Sequence, residues 1–586
     1  MLMKSVFAEN KQWPFRSLFA VAFLGCACGF SIALGEEEPD MPSLVAQFNK
    51  FYESKQFNQA APIAEKILQI REKTLGPDAR GTATAANNLA EVYRYMGQYA
   101  KAEPLYQRAL QVIEKDLGPD HPDTASILAN IALLYSQTGA YAKAEPIYQR
   151  VLKIREKAFG PDSPQTADTL NALAILYYRN HDYAKAEPLS QRALKIREKA
   201  FGPDNPKTAY SLNDLAALYV AEDEYSKAEK LFQRALKIRE KSLGPDHPDT
   251  AVTMQNLAAT YRDMGQYKKA EPLFQRALAV TEKSTGPDHP NTAWIVNNLG
   301  TVYRLMGQDS TAETYFQRAL KIRENALGKD HPDTGSTLSE LALVYEDMRD
   351  YAKAEGLYQR SLAISEKAHG PDSAAVARSL HELAMLYYYQ KDYAKSEPLY
   401  QRALAISEKV SGPDSIDTAA TLVSLGALYD RMGQYSKAEP LELRALRIYE
   451  KVLGPDHPDV ATAAGHLGQL YCDKGEFAKA EPLELRAVAI DEKKLGEHVE
   501  TARSLDDLGD LYRETGQYAK AEPLYQRALK IREKVLGSEN FSVAETLDDL
   551  AALYWAKGQS AKAEPLSQRA AGIRARIKES RAAETK

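Results

Sequence analysis

Cysteine is nearly absent. Of three in 586 residues, Cys26 and Cys28 lie in an apolar N-terminal stretch, and Cys472 stands alone beyond it. The main body therefore holds no internal disulfide and no cysteine-rich zinc site. An excess of positive charge is missing too. Met1–Gly35 carries three bases and one acid, which leaves 72 Lys+Arg against 79 Asp+Glu. A slightly acidic chain does not offer the basic footprint that broad nucleic-acid binding requires. Beyond Gly35 no run is apolar enough to span a bilayer, which takes about 20 residues. There is no Gly-rich phosphate loop, nucleophile elbow or zinc-protease motif, so no cofactor, metal or catalytic group is implied. Sustained apolar/polar alternation, the mark of strands, is lacking as well.

What is present begins with a targeting segment. Lys4, Lys11 and Arg16 precede an uncharged run from Ser17 to Gly35, and Ala33-Leu34-Gly35 supplies small residues where a signal peptidase reads. Glu36-Glu37-Glu38-Pro39 follows. The pattern reads as a signal peptide over 1–35, cleaved after Gly35, then a short polar linker over 36–40. It implies an exported protein, periplasmic or extracellular. The alternative is a membrane anchor over residues 17–35, since that run approaches a spanning length.

The rest is periodic. An aromatic precedes each "AKAE"-like stretch at Phe57, Tyr99, Tyr141, Tyr183, Tyr225, Tyr267, Tyr351, Tyr393, Tyr435, Phe477 and Tyr518, stepping by 42 residues. Positions 309 and 560 hold Asp and Ser instead, and the step to Tyr518 is 41 because "LGEHVETA" is one residue short. Thirteen units result, covering 41–577, with a polar tail over 578–586. Each reads as two helices. In the unit from Thr124, an apolar stripe of Leu128, Ile131, Ala132, Leu134 and Tyr135 is followed by Gly139. A second stripe runs through Ala144, Ile147, Tyr148, Val151 and Ile154 to Gly160-Pro161. Such spacing predicts helices, and Gly-Pro ends one. A lone hairpin cannot bury both stripes, so the units must stack into a solenoid. Ala102, Ala144, Ala186, Ala228 and Ala270 mark one close contact, and Ala109, Ala193, Ala235, Ala277 and Ala319 another.

Leu89, Ala90, Tyr93, Gly97, Tyr99, Ala102, Tyr106 and Ala109 match the pattern of the tetratricopeptide repeat (TPR). The 42-residue length with "AEPLYQRAL", "IREK" and "LGPDHPDTA" resembles more closely the repeats of kinesin light chains and of the bacterial proteins that share them. That resemblance implies an all-α, right-handed TPR solenoid of about thirteen hairpins. It also implies that the first helix of each unit lines a concave groove that takes peptides. No long heptad segment for a motor heavy chain precedes the repeats, so a motor-adaptor role is not implied.

"GPDHPDTA" puts a His after an Asp in unit after unit, which could suggest metal or base chemistry. Across units, however, the position holds His121, Ser163, Asn205, His247, His289, His331, Ser373, Ser415, His457, His498 and Asn540, with Ala79 in the first. Ser and Asn cannot replace a metal-binding His, but they are favoured helix N-caps. Pro122, Pro164, Pro206, Pro248, Pro290, Pro332 and Pro458 then fall at the first helical position. The stretch is read as a helix start. "IREK" is read as a solvated face with intrahelical pairs, and Ser310-x-x-Glu313 as a possible capping box. Pro104 and its equivalents, early in the second helix, are read as fixing its direction rather than contacting a ligand.

Candidate binding residues lie on the first helices: Asn87, Asn88, Asn130, Asn171, Asn213, Asn256, Asn297 and Asn298, with Arg94, Arg262, Arg304, Tyr178, Tyr388 and Tyr389. Asn both donates and accepts, so a ladder of amides can grip an extended backbone without demanding one sequence. The same amides can instead bond between neighbouring units and hold the stack. Arg and aromatics make binding hot spots. The arginines of the first half, and the family resemblance, point to acidic segments as ligands. Later units carry acids in these positions. The expected function is a noncatalytic scaffold that binds peptides or proteins. A structural spacer of the envelope and a regulatory subunit of an enzyme complex are the alternatives.

Overall fold

Glycine and capping residues cut the chain into helices at the expected places. The structure, a computed structural model, describes residues 41–53, 56–180 and 182–584. These hold twenty-six helices and no strand among the described residues, paired as thirteen hairpins. The signal-peptide and linker readings over 1–40 lie outside the described residues. A typical unit pairs Pro122–Gln137 with Tyr141–Phe159. The described helices fall into two bodies, 41–245 with five hairpins and 246–584 with eight. The last helix, Ser560–Glu584, continues through most of the stretch read as a tail.

The histidines are caps. His121, His247, His289, His331 and His457 each accept the backbone N–H two residues on at Nδ1, at 3.1 Å. His498 does so at 3.2 Å. Ser163, Ser373 and Ser415 cap through Oγ, Asn205 and Asn540 through Oδ1. An imidazole, a hydroxyl and an amide are interchangeable because each needs only one acceptor atom near a free N–H. Ala79 makes no such bond. Among the described residues no group of His, Cys, Asp or Glu is disposed to hold a metal ion.

The Thr of "DTA" has a further role. Thr124 Oγ1 donates to the carbonyl of Gly118 at 2.8 Å, and Thr166, Thr208 and Thr292 repeat the bond to Gly160, Gly202 and Gly286. Each glycine ends the preceding helix with a positive φ, 92° at Gly118. The buried hydroxyl thereby gives the glycine carbonyl a short bond beside the long one, 3.3–3.4 Å, that it accepts from the cap residue's N–H.

Two expectations are corrected. "IREK" is not a solvated face. Its Arg is buried at Arg155, Arg197 and Arg239 and partly buried at Arg71 and Arg532; Arg155 donates to Thr169 at 3.0 Å and Arg197 to Ser211 at 2.5 Å on the next first helix. Its Glu pairs across the junction: Glu156 with Arg192 and Glu198 with Arg234, both at 2.7 Å. The helix turns this face toward the following unit, so charges that look intrahelical in sequence become stitches between repeats. Second, Ser310 forms no capping box. The helix begins at Asp309 after Gln308, with no side-chain cap, and Glu313 instead accepts Tyr345 OH at 2.6 Å. That bond repeats a Tyr–Glu link seen from Tyr135 to Glu103 and from Tyr177 to Glu145.

The small-residue junctions pack as expected. Ala102, Ala144, Ala186, Ala228 and Ala270 are fully buried. Within each body, first helices of neighbouring units touch one another, while second helices make no comparable contact. The first-helix side is therefore the inner one.

Candidate interaction face on the first helices

The polar residues of this inner side are bonded across unit junctions. In the first body, Asn130 Nδ2 donates to Asn87 Oδ1 at 3.1 Å, and Asn87 to Asn88 Oδ1 at 3.4 Å. Asn171 Nδ2 donates to Asp214 Oδ2 at 2.5 Å. Arg94 Nη1 reaches Gln137 Oε1 at 3.2 Å, and its guanidinium lies 4.2 Å over the Tyr95 ring. In the second body, Arg262 donates to Asn298 Oδ1 at 2.6 Å and Arg304 to Asp347 Oδ2 at 3.2 Å. Each of these junction-crossing links ties one first helix to the next.

A profile of the tetratricopeptide repeat matches overlapping segments from 51–110 to 500–576. The chain belongs to the tetratricopeptide repeat family. No curated protein matches it. Solved structures similar to it include that of a putative kinesin light chain of Podosopora anserina with nearly identical TPR-like repeats. That one is 25% identical with a TM-score of 0.32, over 35% of this chain and 96% of the other. Another is BtubC (BKLC) of P. vanneervenii, also 25% identical with a TM-score of 0.32, over 40% of this chain and 91% of the other.

The predicted residues of this TPR face sort by access. Arg94 is 3% exposed and Asn171 is 4%, and Asn213, Asn256 and Asn298 are buried too. Arg94, Asn171 and Asn298 make the junction bonds given above, whereas Asn256 Nδ2 is buried without a hydrogen bond in the protein. Asn87, Asn88, Asn130, Tyr178, Arg262, Asn297, Arg304, Tyr388 and Tyr389 keep part of their surface open. The Tyr388 and Tyr389 rings meet edge to face at 5.5 Å, and Arg431 Nε donates to Tyr388 OH at 3.3 Å. In the second body the face continues into a cavity of about 1240 Å³, where Arg304 and Tyr389 share the wall with Asn540 and Phe541.

Burial also shifts titration here. Asp214 is pushed up to about 6 by desolvation, against the pull of Arg197. His381 is pushed down to about 3 by burial. Glu382 is raised to about 7 by burial, although Ser339 donates to it at 2.6 Å. Asp214 lies in the first body, and His381 and Glu382 are neighbours on one helix of the second, where fully buried His381 meets Ser424 and Glu382 meets Ser339.

Sequence reading missed Glu442 and Glu484. Both stand where other units carry a buried aromatic such as Tyr106, Phe274 or Tyr400, and both are 1% exposed. The signal was available: "AEPLELRA" replaces "AEPLYQRA", and Gly426 and Gly468 precede the two glutamates by sixteen residues. A Cβ on Gly426 would lie 2.6 Å from Glu442 Cγ, so the missing side chain is what admits the carboxyl.

Proposed function

We propose that this chain is a noncatalytic scaffold whose first-helix face binds extended peptide segments of partner proteins. The TPR fold is generally used for protein–protein interaction, and the open part of the face carries the groups that such binding uses. The observation that carries the reading is the half-buried amides and aromatics on the first helices within each body, Asn87, Asn88 and Asn130 in the first and Asn297, Tyr388 and Tyr389 in the second. Asn87, Asn130 and Tyr388 are held by bonds across unit junctions yet stay partly exposed, a pre-organised arrangement that lowers the cost of binding. Arg262 and Arg304 give their stretch a preference for acidic segments. A photoreactive residue in place of Asn130 should crosslink a peptide partner, while one at the exposed Gln149 on the second helix should not. Equal crosslinking from both sites would refute the groove.

The N-terminal segment supports export, with cleavage after Gly35; an anchor over 17–35 is the alternative. No helix among the described residues is long and apolar enough to cross a membrane. The first residue of the mature protein tests this: Glu36 supports cleavage, and Met1 refutes it.

A further inference from the structure

Along the inner face, a residue near the end of one first helix meets the residue one unit and one position further on. Four such rungs are bridged by an arginine: Arg94 to Gln137, Arg179 to the Ser136 carbonyl, Arg304 to Asp347, and Arg431 to Tyr388 OH. The rung formed by Asp430 and Asp473, one unit and one position apart like the other four, has an acid at both ends. The nearest guanidinium, Arg431, is already turned to Tyr388.

Behind this rung sits a third carboxyl. Glu442 is 1% exposed and packs against Gly426, one helical turn before Asp430. Glu442 Oε2 and Asp430 Oδ1 are buried and make no hydrogen bond within the protein. Asp430 is 9% exposed, whereas Asp473 is open to solvent and accepts only from Gln469 of its own helix, at 2.9 Å. Burying carboxyls without a cation is costly. Arg431 is the opposite charge beside these acids, but its Nε is bonded to Tyr388 OH, so a guanidinium supplied from outside would add charge-assisted bonds to the rung. The same kind of side chain fills the equivalent rung elsewhere in the chain. A metal ion fits less well, since these carboxyls form no group disposed to coordinate one.

We propose that the Asp430–Asp473 rung, backed by Glu442, is a subsite for an arginine side chain of a partner segment lying along the inner face. The proposal rests on the groove reading above and assigns this stretch the opposite ligand charge from the Arg262–Arg304 stretch. The planar fork of an arginine can donate to both aspartates at once, which a lysine ammonium does less well. One scaffold then reads acidic residues near its middle and a basic residue further along.

The test uses the full chain, a fluorescein-labelled Arg-Ser repeat peptide, and a Glu-Ser peptide of equal length, followed by fluorescence anisotropy. D430N/D473N should weaken the Arg-Ser peptide at least about tenfold, the equivalent of 1.4 kcal/mol, and leave the Glu-Ser peptide unchanged. D473N alone, at an exposed position, should weaken it in the same direction with the thermal transition unmoved. D120N/D162N, in exposed loops, should change nothing. Unchanged Arg-Ser affinity in D430N/D473N, or an equal loss in D120N/D162N, overturns the subsite. If the Asn130 crosslink succeeds while the Arg-Ser peptide fails, the subsite alone falls. If crosslinking from Asn130 and Gln149 is equal and neither peptide binds, the groove falls with it.

Discussion

Glu442 offers a sharp energetic test, because it is a carboxyl in a place built for a ring. Burial holds it well above the usual carboxylate range, and the neighbouring charges of Asp430, Asp473 and Glu439 push the same way. The sign of the consequence follows. The folded state keeps a proton that the unfolded chain releases above about pH 4.3. The stability that this proton supports is complete below that pH and is lost as pH rises toward the folded value. While the folded carboxyl stays protonated and the unfolded one does not, unfolding free energy falls by about 1.4 kcal/mol per pH unit. Glu442→Gln removes the titrating group, so wild type minus variant should slope downward by up to that amount between pH 5 and 7. Glu442→Phe has a template in the same chain: Phe316 packs over Gly300 as Glu442 packs over Gly426. It should flatten the slope likewise and add about 1.5–3 kcal/mol of buried-ring stabilisation. Repeat arrays do not unfold strictly as two states. The measurement is therefore hydrogen exchange of amides in the helices Ile416–Arg431 and Tyr435–Leu453, at several pH values and corrected for intrinsic rates. A pH-independent difference between wild type and Glu442→Gln would refute the reasoning.

Further tests address the stack itself. His247→Ala should cost about 1 kcal/mol of local stability and His247→Asn nearly nothing, since the cap needs only an acceptor; exchange at Thr250 and its neighbours reads this. Thr292→Val keeps the shape but leaves the Gly286 carbonyl with only the 3.4 Å bond from His289 N–H in place of its 2.7 Å bond, and should cost about 0.5–1.5 kcal/mol in urea titration. Ala270→Leu should overpack a fully buried junction by about 1–3 kcal/mol, lowering the thermal transition. Arg150→Ala, by contrast, removes a partly exposed pair with Glu114 and should cost less than about 1 kcal/mol.

Much of this architecture could be read in one dimension. A period of 42 residues, two apolar stripes per period and a Gly-Pro break dictate helical hairpins, because no other local structure buries those stripes. The capping role of the histidines was legible too, from the exchange of His for Ser and Asn at one position. Which polar residues are reachable was not. Arg94 and Asn171 look like Arg262 and Asn130 in sequence, yet the first two are buried at a junction and the others stay partly open. The Arg of "IREK" looked solvated, but the rotation of its helix aims it at the next unit. Sequence sets which face of a helix is apolar, through spacing that needs no partner. Whether a charge meets water, a neighbour or an empty carboxyl rung depends on how closely the next hairpin approaches, and that distance is set by packing between repeats.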